Sequence, residues 1–353
     1  MADLQGKFCR KPFEHFEVHS NGSVSLCCYT WLPHHAGILS EYNSIHDVFN
    51  SSKVQQIRRS IHDGSFSYCN HDLCPHIQNK SLPDKSEVEG PRMQQIVQDG
   101  ELNNLQPDFY NLCYDESCNL ECPSCRTHSK MYTSGPEYEK RKHIQDQIIQ
   151  DVFEKPHNRN CTVNITGSGD PFGSKLFREL LFSIDGKNFP RLNINLQTNG
   201  VMFTEKYWNK MHKIHSNINT VVVSFDAGTK ETYDKIRVGG DWDRLQHNME
   251  FLSRLRAKNK IRELRIDFVV QSTNYRDMPK VINIGKRLNV DKVYFGVVVN
   301  WGTWSQSEFE KKAIYIEGHN EYPNFMCMLN NPIFDDSIVD LGNVTQYREI
   351  VHG

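Results

Sequence analysis

The second part of the chain alternates between short apolar runs and longer stretches in which apolar residues recur every three or four positions. Six runs after residue 107 have the length and β-branched content of strands. They are DFYNLCY, TVNITG, NINLQTNG, TVVVSFD, LRIDFVVQ and KVYFGVVVN, and the longest helical stretches between them are EYEKRKHIQDQIIQDVF and WDRLQHNMEFLSRLRAKN. Continuously apolar runs such as TVVVSF are typical of strands buried on both faces of a parallel sheet. The pattern predicts an α/β region of six β/α units over residues 107–300, as an open Rossmann-like sheet or a partial barrel.

The first 80 residues follow a different pattern, of short elements joined by turns. Two alternating runs in FEVHSNGSVSLCC predict a hairpin with a type I′ turn at Asn21-Gly22. The stretch SIHDVFNSSKVQQIRRSIHDG predicts a helical segment that begins near a Ser44 cap and ends at Gly64. We therefore predict a compact, loop-rich module over residues 1–80.

Two further regions complete the expected organisation. Residues 81–106 are polar and are typical of a linker with room for one short helix. Residues 301–353 predict a C-terminal cap of mixed short elements. A chain of 353 residues is long enough for one large domain and one smaller one, each with its own core.

Composition and charge exclude some partners. The chain has 41 Lys and Arg against 43 Asp and Glu, a formal net charge of -2, which argues against nucleic acid or an anionic membrane as a partner. No apolar run approaches the roughly 18 residues that span a bilayer. The N-terminus lacks the apolar core of a secretion signal, so we expect a cytoplasmic protein.

The eleven cysteines form groups rather than an even scatter. Thiols stay reduced in the cytosol, so grouped cysteines indicate metal ligation or catalysis rather than disulfides. The groups comprise Cys9, Cys27 and Cys28, Cys69 and Cys74, and Cys118, Cys122 and Cys125. Isolated cysteines are common in protein cores, and we expect the remaining three, Cys113, Cys161 and Cys327, to serve packing.

The segment DESCNLECPSCR places Cys118, Cys122 and Cys125 in a C-x₃-C-x₂-C motif directly after the first strand of the α/β region. Ligands of parallel α/β folds gather at the carboxyl ends of strands, so the motif lies where a site is expected. Four thiolates close a zinc or iron–sulfur site, whereas three leave one metal position open for a substrate or cofactor. A zinc loop with a distant fourth ligand is the alternative.

This motif, in this position of a six-unit β/α chain, resembles the radical S-adenosylmethionine (SAM) superfamily. The resemblance implies a partial (β/α)₆ TIM-like barrel in which the three cysteines bind a [4Fe-4S] cluster and SAM chelates the fourth iron. One electron then cleaves SAM to methionine and a 5′-deoxyadenosyl radical, which abstracts hydrogen from a substrate. It also implies a reductant protein such as flavodoxin or ferredoxin as a partner.

The same resemblance implies a set of SAM contacts at the strand ends. TGSGDP is similar to the glycine-rich turn that binds the SAM amino group, LQTNG ends the third strand as in many members, and SFDAGTKETYDKIRVGG carries a Ser and an Arg for the carboxylate and a polar residue for the ribose. VVQSTN and the sixth strand supply the last two positions. The implied SAM-binding residues are Gly167, Ser168, Gly169, Asp170, Asn199, Ser224, Asp226, Arg237, Gln271 and Gly296, with Asn274 completing the VVQxxN match. Ser124 departs from the aromatic residue that often precedes the third cysteine.

The N-terminal module resembles the auxiliary-cluster module called twitch, which is related to the SPASM domain. The resemblance implies that Cys9, Cys27, Cys69 and Cys74 bind a second [4Fe-4S] cluster, with structural zinc as the alternative. Alternation agrees on Cys27, because Val24, Leu26 and Cys28 share the other strand face, which predicts that Cys28 is a core residue. The second cluster would transfer electrons or serve a structural role.

Three functions fit these observations. The first is a radical SAM enzyme that cross-links, epimerises or otherwise oxidises a ribosomally made peptide, because SFDAGTKETYDKIRVGG resembles peptide-modifying members. The second is a radical SAM dehydrogenase, decarboxylase or epimerase that acts on a small molecule such as an amino sugar or nucleotide. The third is a non-enzymatic metal-binding scaffold. No catalytic acid or base is identified, and the strand-end candidates are Asp115, Glu116, Glu121, Tyr294 and Trp301.

Overall fold

The structure is a computed structural model that describes residues 4–100, 102–165 and 168–352. Its strands are β1 His15–His19, β2 Ser23–Ser25, β3 Gly37–Ile38, β4 Phe109–Cys113, β5 Cys161–Ile165, β6 Leu192–Thr198, β7 Ile218–Ser224, β8 Glu263–Val270, β9 Lys292–Val297 and β10 Val339–Asp340. Its α-helices are α1 Lys11–Glu14, α2 Ile45–Phe49, α3 Ser52–His62, α4 Pro75–Gln78, α5 Pro91–Asp99, α6 Pro136–Ile148, α7 Lys175–Ser183, α8 Glu205–Lys210, α9 Lys230–Ile236, α10 Trp242–Ala257, α11 Met278–Arg287, α12 Gln306–Glu310, α13 Tyr322–Leu329 and α14 Thr345–His352. No helix of the described part of the chain is long and apolar enough to cross a membrane.

The predicted α/β class is confirmed. Each of the six strands from β4 to β9 is followed along the chain by a helix, and each begins and ends within three residues of its predicted run. A crossover of this length is what a parallel strand pair requires, because the chain must return to the same end of the sheet. The chain is therefore a mixed α/β protein with a mostly parallel sheet.

The chain divides into two compact units. The first comprises Met1–Asp115, Tyr132–Ser168 and Lys187–Asn193. Its strands follow the order β5-β4-β1-β2-β3. The pairs β1/β4 and β4/β5 are parallel, whereas β1/β2 and β2/β3 are antiparallel. The N-terminal hairpin thus extends the edge of the parallel strands.

The second unit comprises Glu116–Met131, Gly169–Gly186 and Ile194–Gly353. Its strands follow the order β10-β9-β8-β7-β6, and all four pairings are parallel. The middle strands β7 and β8 bury residues such as Val223, Ile266 and Phe268 completely, as their apolar runs predict. Their carboxyl ends lie on one edge, which is where the loops of a site can converge.

The hairpin between β1 and β2 is correctly predicted, but its turn type is wrong. A type I′ turn needs positive φ at both central residues, and positive φ occurs at Gly22 (φ 82°) but not at Asn21. Instead the Gly22 N–H donates to His19 O at 2.9 Å, and the Asn21 side chain accepts from Ser23 N. The loop is a turn followed by a left-handed glycine, the usual three-residue hairpin connection.

The helical segment after Ser44 is two helices rather than one. Ser44 caps α2 as predicted, since its hydroxyl accepts from Asp47 N at 3.1 Å, and Gly64 ends the segment with a φ of 80°. The break falls at Asn50, whose side chain donates to two carbonyls, His46 O and Leu105 O. An asparagine that bonds backbone groups in this way competes with the helix ladder. A second cap at Ser51 then starts α3.

Helix α6 and the segment before β4 also differ in detail from the expected pattern. The predicted long helix ends as α-helix at Ile148 and continues as a π-helical turn, Ile149–Phe153. The polar region 81–106 contains the single short helix expected, α5, which buries Met93 and Ile96. These two apolar side chains show that α5 packs within the first unit.

Arg58 organises the interior of the first unit and generates a testable prediction. The side chain is fully buried, its Nε donates to Pro12 O, and its Nη1 donates to Leu102 O, each at 2.9 Å. Burial lowers the pKa of Arg58 to about 9, so the guanidinium is charged at neutral pH. The guanidinium carbon of Arg58, Cζ, lies 4.4 Å from the centre of the Phe49 ring.

We predict that Arg58→Met destabilises the protein by about 2–4 kcal/mol, because two buried carbonyls lose their charged donor. The measurement is the urea midpoint followed by tryptophan fluorescence. The matched control is Arg59→Met, which changes an exposed arginine on the same helix and should leave the midpoint nearly unchanged. Equal midpoints for the two variants would contradict this role.

Candidate functional site

The three-cysteine motif lies in an irregular loop, residues 116–131, of the second unit. Backbone bonds close the loop: Cys118 N donates to Lys130 O at 3.0 Å, and Glu121 N donates to Val238 O at 2.8 Å. An ion pair of 2.8 Å between Lys130 and Glu116 ties its two ends together. Cys118 and Cys122 are buried, and Cys125 is exposed.

The Cys118 sulfur receives hydrogen bonds from two sides. Asn199 Nδ2 lies 3.6 Å from Cys118 Sγ, and Leu120 N lies 3.4 Å from the same sulfur. Asn199 is held in turn, because its Nδ2 also donates to Asn119 Oδ1 at 3.0 Å and its Oδ1 accepts from Val201 N. The asparagine of the LQTNG motif, after the end of β6, thus faces the first cysteine, and its role in binding SAM stays a prediction.

The other two sulfurs receive arginine donors. Arg237 Nη1 lies 3.7 Å from Cys122 Sγ, and Arg126 Nη2 lies 3.5 Å from Cys125 Sγ. Arg126 is anchored by a second bond, from Nη1 to Glu116 O at 3.0 Å. Hydrogen bonds to a sulfur are stronger when the donor is charged, so each arginine is a strong donor to the sulfur beside it.

Burial disfavours the charged thiolate form of the two buried cysteines, Cys118 and Cys122. It raises the pKa of the Cys118 thiol to about 11, with the nearby Asp170 carboxylate adding to the rise and Arg126 opposing it. Burial likewise raises the pKa of Cys122, against the influence of Arg237. The two thiols are therefore protonated at neutral pH unless a cation favours the thiolate.

Asp170, the last implied residue of the TGSGDP turn, connects two strand-end loops. It is 1% exposed, and its Oδ1 accepts from Phe172 N and Gly173 N at 2.9 Å. Its Oδ2 accepts from Thr198 Oγ1 and Asn199 N at 2.8 Å. The carboxylate therefore positions the backbone of Asn199, whose side chain faces Cys118.

Asp226 and Arg237 form a buried ion pair beside Cys122. Asp226 Oδ2 lies 2.7 Å from Arg237 Nη2, and Asp226 Oδ1 accepts from Val269 N at 2.7 Å. Asp226 has a φ of 58°, a left-handed conformation that aims its carboxylate at both partners. Arg237 Nε is buried and has no hydrogen-bond partner among the described residues. This N–H is a donor available for an anionic ligand.

A cavity of about 270 Å³ opens beside the cysteine loop within the second unit. Its wall includes Ser124 of the loop and Gln271 after β8, two positions singled out from the sequence. Trp304 and Lys312 from the C-terminal region close another side, and Lys235 adds a second cation. Gln271 is oriented by Asn274, whose Oδ1 accepts from Gln271 N at 2.8 Å.

The remaining implied SAM residues are Gly167, Ser168, Gly169, Ser224 and Gly296. Gly167 lies outside the described residues. Ser168 belongs to the first unit, where its hydroxyl donates to Cys113 O at 2.8 Å, and Gly169 begins a segment of the second. Ser224 ends β7 and is half-buried. Gly296 lies on β9, where an added Cβ would meet only ordinary contacts, so nothing in the packing requires glycine there.

The N-terminal cysteines converge in the first unit. Cys9, Cys27, Cys69 and Cys74 line one small cavity of about 20 Å³, together with apolar residues such as Leu32 and Phe66. Burial raises the pKa of Cys9 to about 11 and that of Cys27 and Cys69 to about 12, and neighbouring cysteines add to each rise. These are the four cysteines that the twitch resemblance implies.

Cys28 is not the core residue that strand alternation predicted. Strand β2 ends at Ser25, so alternation no longer applies at residue 28. Cys28 is exposed, and its sulfur lies 2.9 Å from Thr30 Oγ1 rather than in the cavity. Cys327, expected to serve packing, is exposed as well.

Sequence reasoning missed several residues of these sites. Arg126 follows the third cysteine directly, and its charge beside a thiol motif was the available signal. Lys11, Trp31 and His76 line the N-terminal cavity, and no local pattern marked them. Of the acid–base candidates, Trp301 is 75% exposed and Glu116 is engaged by Lys130.

The described residues thus present a three-cysteine loop in the second unit and four further cysteines around one cavity in the first. Comparison with protein families agrees. Residues 116–262 match the radical SAM superfamily, and residues 9–76 match the iron–sulfur cluster-binding domain called SPASM. Residues 116–262 are therefore a radical SAM domain, and residues 9–76 are an iron–sulfur cluster-binding domain. These matches assign to the chain a [4Fe-4S] cluster, SAM and an auxiliary cluster.

The solved structures that resemble the chain do so weakly. Streptococcus suis SuiB bound to its precursor peptide SuiA is 13% identical, with a TM-score of 0.46, and the match covers 84% of this chain and 64% of SuiB. Native anSMEcpe with bound AdoMet is 20% identical, with a TM-score of 0.43 and coverage of 64% and 59%. The chain thus spans less than two thirds of the length of these proteins. No curated protein matches the chain significantly.

The bonds of Asp170 generate a prediction for stability. Asp170→Asn replaces one acceptor oxygen with an NH₂ group, so two of the four donors lose their partner, and we expect a loss of about 2–4 kcal/mol. The measurement is the urea midpoint. Asp243→Asn, an exposed aspartate in the first turn of α10, is the matched control and should shift the midpoint little. A shift no larger than that of the control would show that Asp170 does not hold the two loops together.

Proposed function

We propose that the chain cleaves SAM reductively and uses the resulting 5′-deoxyadenosyl radical to abstract hydrogen from a substrate. The observation that carries the proposal is the surroundings of Arg237. Its guanidinium reaches Cys122 and Asp226 and keeps one buried N–H without an acceptor. A site with three thiols and a free cationic donor beside them fits a cluster and the carboxylate of SAM.

The residues of the loop fit the cluster. Cys118, Cys122 and Cys125 would hold it through their sulfurs, and each sulfur has a side-chain donor that stabilises its charge. When bound, the cluster supplies the electron that cleaves SAM and an open iron that anchors it. The chain contributes the fixed position of the thiols, which depends on the loop closure at Glu116 and Lys130.

The residues around the loop fit SAM. Arg237 would receive the carboxylate through Nε, with Asp226 holding the guanidinium in place, and Ser224 at the end of β7 would assist. The cavity at Ser124 and Gln271 would take the adenine, with Gly296 on the sixth barrel strand beyond it. Gly167, Ser168, Gly169 and Asp170 would form the turn that binds the amino group, in which Asp170 acts by positioning Asn199.

Cys9, Cys27, Cys69 and Cys74 would hold the auxiliary cluster. Their cavity is lined by apolar side chains, which exclude water and favour a site closed by four thiolates. We assign it the role of accepting or relaying an electron. A reductant protein such as flavodoxin or ferredoxin would supply the electron for SAM cleavage.

We propose a ribosomally made peptide as the substrate, modified by cross-linking, epimerisation or a similar oxidation. The support is the resemblance of residues 224–240 to the corresponding segment of peptide-modifying radical SAM enzymes. A small molecule, such as an amino sugar or nucleotide, is the second candidate. The observation that favours it is the presence of Trp304 and Lys312, from the C-terminal region, in the wall of the cavity.

The test of the reaction is anaerobic purification, with iron and sulfide analysis and detection of 5′-deoxyadenosine after addition of dithionite and SAM. We expect about eight irons in the wild type and about four in a Cys118/Cys122/Cys125→Ala variant, which should form no 5′-deoxyadenosine. Cys327→Ala, which removes an exposed cysteine, is the control and should retain both properties. Iron-free protein, or a triple variant that still cleaves SAM, would overturn the proposal.

The auxiliary site generates a separate prediction that compares two adjacent residues. Cys27→Ala should lower the iron content by about four atoms per chain, because it removes one of four ligands of the second cluster. Cys28→Ala is the matched control and should keep the wild-type iron content, since its sulfur lies outside the cavity. Iron loss from Cys28→Ala but not from Cys27→Ala would show that Cys28, and not Cys27, is the ligand of the second cluster.

The two substrate classes are separated by which compounds accelerate SAM cleavage. A panel of precursor-like peptides and a panel of amino sugars and nucleotides are added to the reduced enzyme, and 5′-deoxyadenosine is measured over time. Acceleration by peptides alone supports the first candidate. Acceleration by small molecules alone supports a small-molecule substrate and excludes the peptide.

A further inference from the structure

The residue that follows the third cysteine, Arg126, is buried in a loop whose neighbouring residues are exposed. Arg126 is 8% exposed, whereas Cys125 and Thr127 on either side of it are exposed. Cys125 N and Arg126 N both donate to Cys122 O, at 2.9 Å and 3.1 Å, so residues 122–126 form a single closed turn. Residues four apart in a helical turn lie on the same face, so this turn brings Arg126 to the side of Cys122.

Two fixed acceptors hold the guanidinium of Arg126. Its Nη2 lies 3.5 Å from Cys125 Sγ, and its Nη1 donates to Glu116 O at 3.0 Å. Glu116 is itself held, because its carboxylate accepts from Lys130 Nζ at 2.8 Å. A guanidinium carries its donors in a rigid planar fork, so the two bonds together fix its position and its orientation.

After burial, the three sulfurs of the loop are the strongest influences on this guanidinium. Burial lowers the pKa of Arg126, but the charges of Cys118, Cys125 and Cys122 outweigh burial and hold that pKa above its usual value. The effect is mutual at Cys118, where burial and Asp170 raise the pKa of the thiol and Arg126 opposes the rise. The charge of Arg126 therefore acts on all three sulfurs, and its hydrogen bond is to that of Cys125.

Arg237, which also reaches a sulfur of the loop, has a different environment. Its Nη1 lies 3.7 Å from Cys122 Sγ, but its Nη2 lies 2.7 Å from Asp226 Oδ2. A carboxylate this close offsets much of the positive charge that more distant groups experience. The proposed function also assigns the remaining N–H of Arg237 to the carboxylate of SAM. Arg126 is therefore the arginine whose charge serves the three thiols.

We propose that Arg126 is a positioning residue that makes the cluster held by this loop easier to reduce. Its guanidinium would stabilise the reduced form by lying against the sulfur of Cys125 and close to the other two sulfurs. This role rests on the proposed function only for the cluster that the three cysteines hold. The reduction potential of an iron–sulfur cluster depends on its net charge, on hydrogen bonds to its sulfurs and on solvent exposure, and Arg126 acts through the first two.

The step concerned is the transfer of one electron from a reductant to the cluster. No bond forms or breaks, and the cluster with its thiolates becomes more negative by one charge. A fixed positive charge nearby lowers the free energy of the more negative state, and a partly buried site screens this effect less than water does. The reductant is the flavodoxin-like or ferredoxin-like partner in the proposed reaction and dithionite in the test.

The test is a redox titration of the full chain, loaded anaerobically with iron and sulfide and followed by EPR spectroscopy without SAM or substrate. The signal of the loop cluster is the one that disappears in Cys118/Cys122/Cys125→Ala. In Arg126→Gln we expect the ratio of reduced to oxidised loop cluster at a given potential to fall about tenfold, because the charged donor is lost. For a one-electron couple this equals a shift of about 59 mV to lower potential.

Two matched variants separate the charge of Arg126 from its hydrogen bonds. Arg126→Lys keeps the positive charge but lacks the planar fork, and it should retain most of the wild-type ratio. Arg244→Gln removes an exposed arginine on α10 of the same unit and should leave the ratio unchanged. A wild-type ratio in Arg126→Gln, or an equal fall in Arg126→Lys, would overturn the proposal.

Arg126→Met is a second variant for the case in which the amide of Arg126→Gln disturbs the buried site. It should lower the ratio as Arg126→Gln does, because both variants lack the charge. If neither variant holds the loop cluster and Arg126→Lys does, the charge serves cluster loading instead of the reduction potential, and the proposal fails.

The same preparations distinguish this role from the proposed function. Formation of 5′-deoxyadenosine after addition of dithionite and SAM is measured in the wild-type protein. If SAM is not cleaved but the ratio falls in Arg126→Gln, the proposed function fails and the role of Arg126 stands. If SAM is cleaved and the ratio does not change, the role of Arg126 fails and the proposed function stands. If no EPR signal depends on the three cysteines of the loop, both fail.

Discussion

The buried carboxylate of Asp170 accepts four hydrogen bonds from two loops that follow different strands, and the site of the second unit depends on them. A carboxylate at 1% exposure is stable only when its oxygens are satisfied. Both loops must therefore keep their positions for the charge to remain buried. Asn199 is placed by this requirement, and through Asn199 so is the donor to the Cys118 sulfur.

Arg237 is a second buried charge that depends on fixed partners. The guanidinium is enclosed between Asp226 and Cys122, and the ion pair compensates the loss of water on burial. Because Asp226 engages Arg237 Nη2 and Cys122 engages Nη1, the direction of the remaining Nε–H is set before any ligand arrives. Preorganised donors of this kind cost nothing to orient at the moment of binding. The free N–H of Arg237 therefore has a fixed direction before any anionic ligand binds.

The first unit uses its sheet in two ways. The apolar face of the sheet contributes to the core through Val18 and Leu112, whereas Glu17 lies on the opposite face. Four cysteines from separate segments converge in a cavity of the same unit, although Cys9 and Cys74 are far apart in sequence. Small regions with few apolar residues commonly rely on such metal ligation for stability.

The order of residues along the chain was enough to predict the six β/α units, because these depend on local periodicity. The bounds of the N-terminal module and the strand-end site residues stay predictions. Local patterns failed where long-range contacts prevailed. The Asn21-Gly22 loop has a turn other than type I′, and Cys28 lies beyond the end of β2. Asn50 separates α2 from α3, and its side chain bonds to Leu105 O. The pairing of Arg237 with Cys122 and the convergence of four cysteines join residues distant in sequence. Folding alone brings such residues together, because side-chain hydrogen bonds act over about 3 Å and carry no signal along the chain.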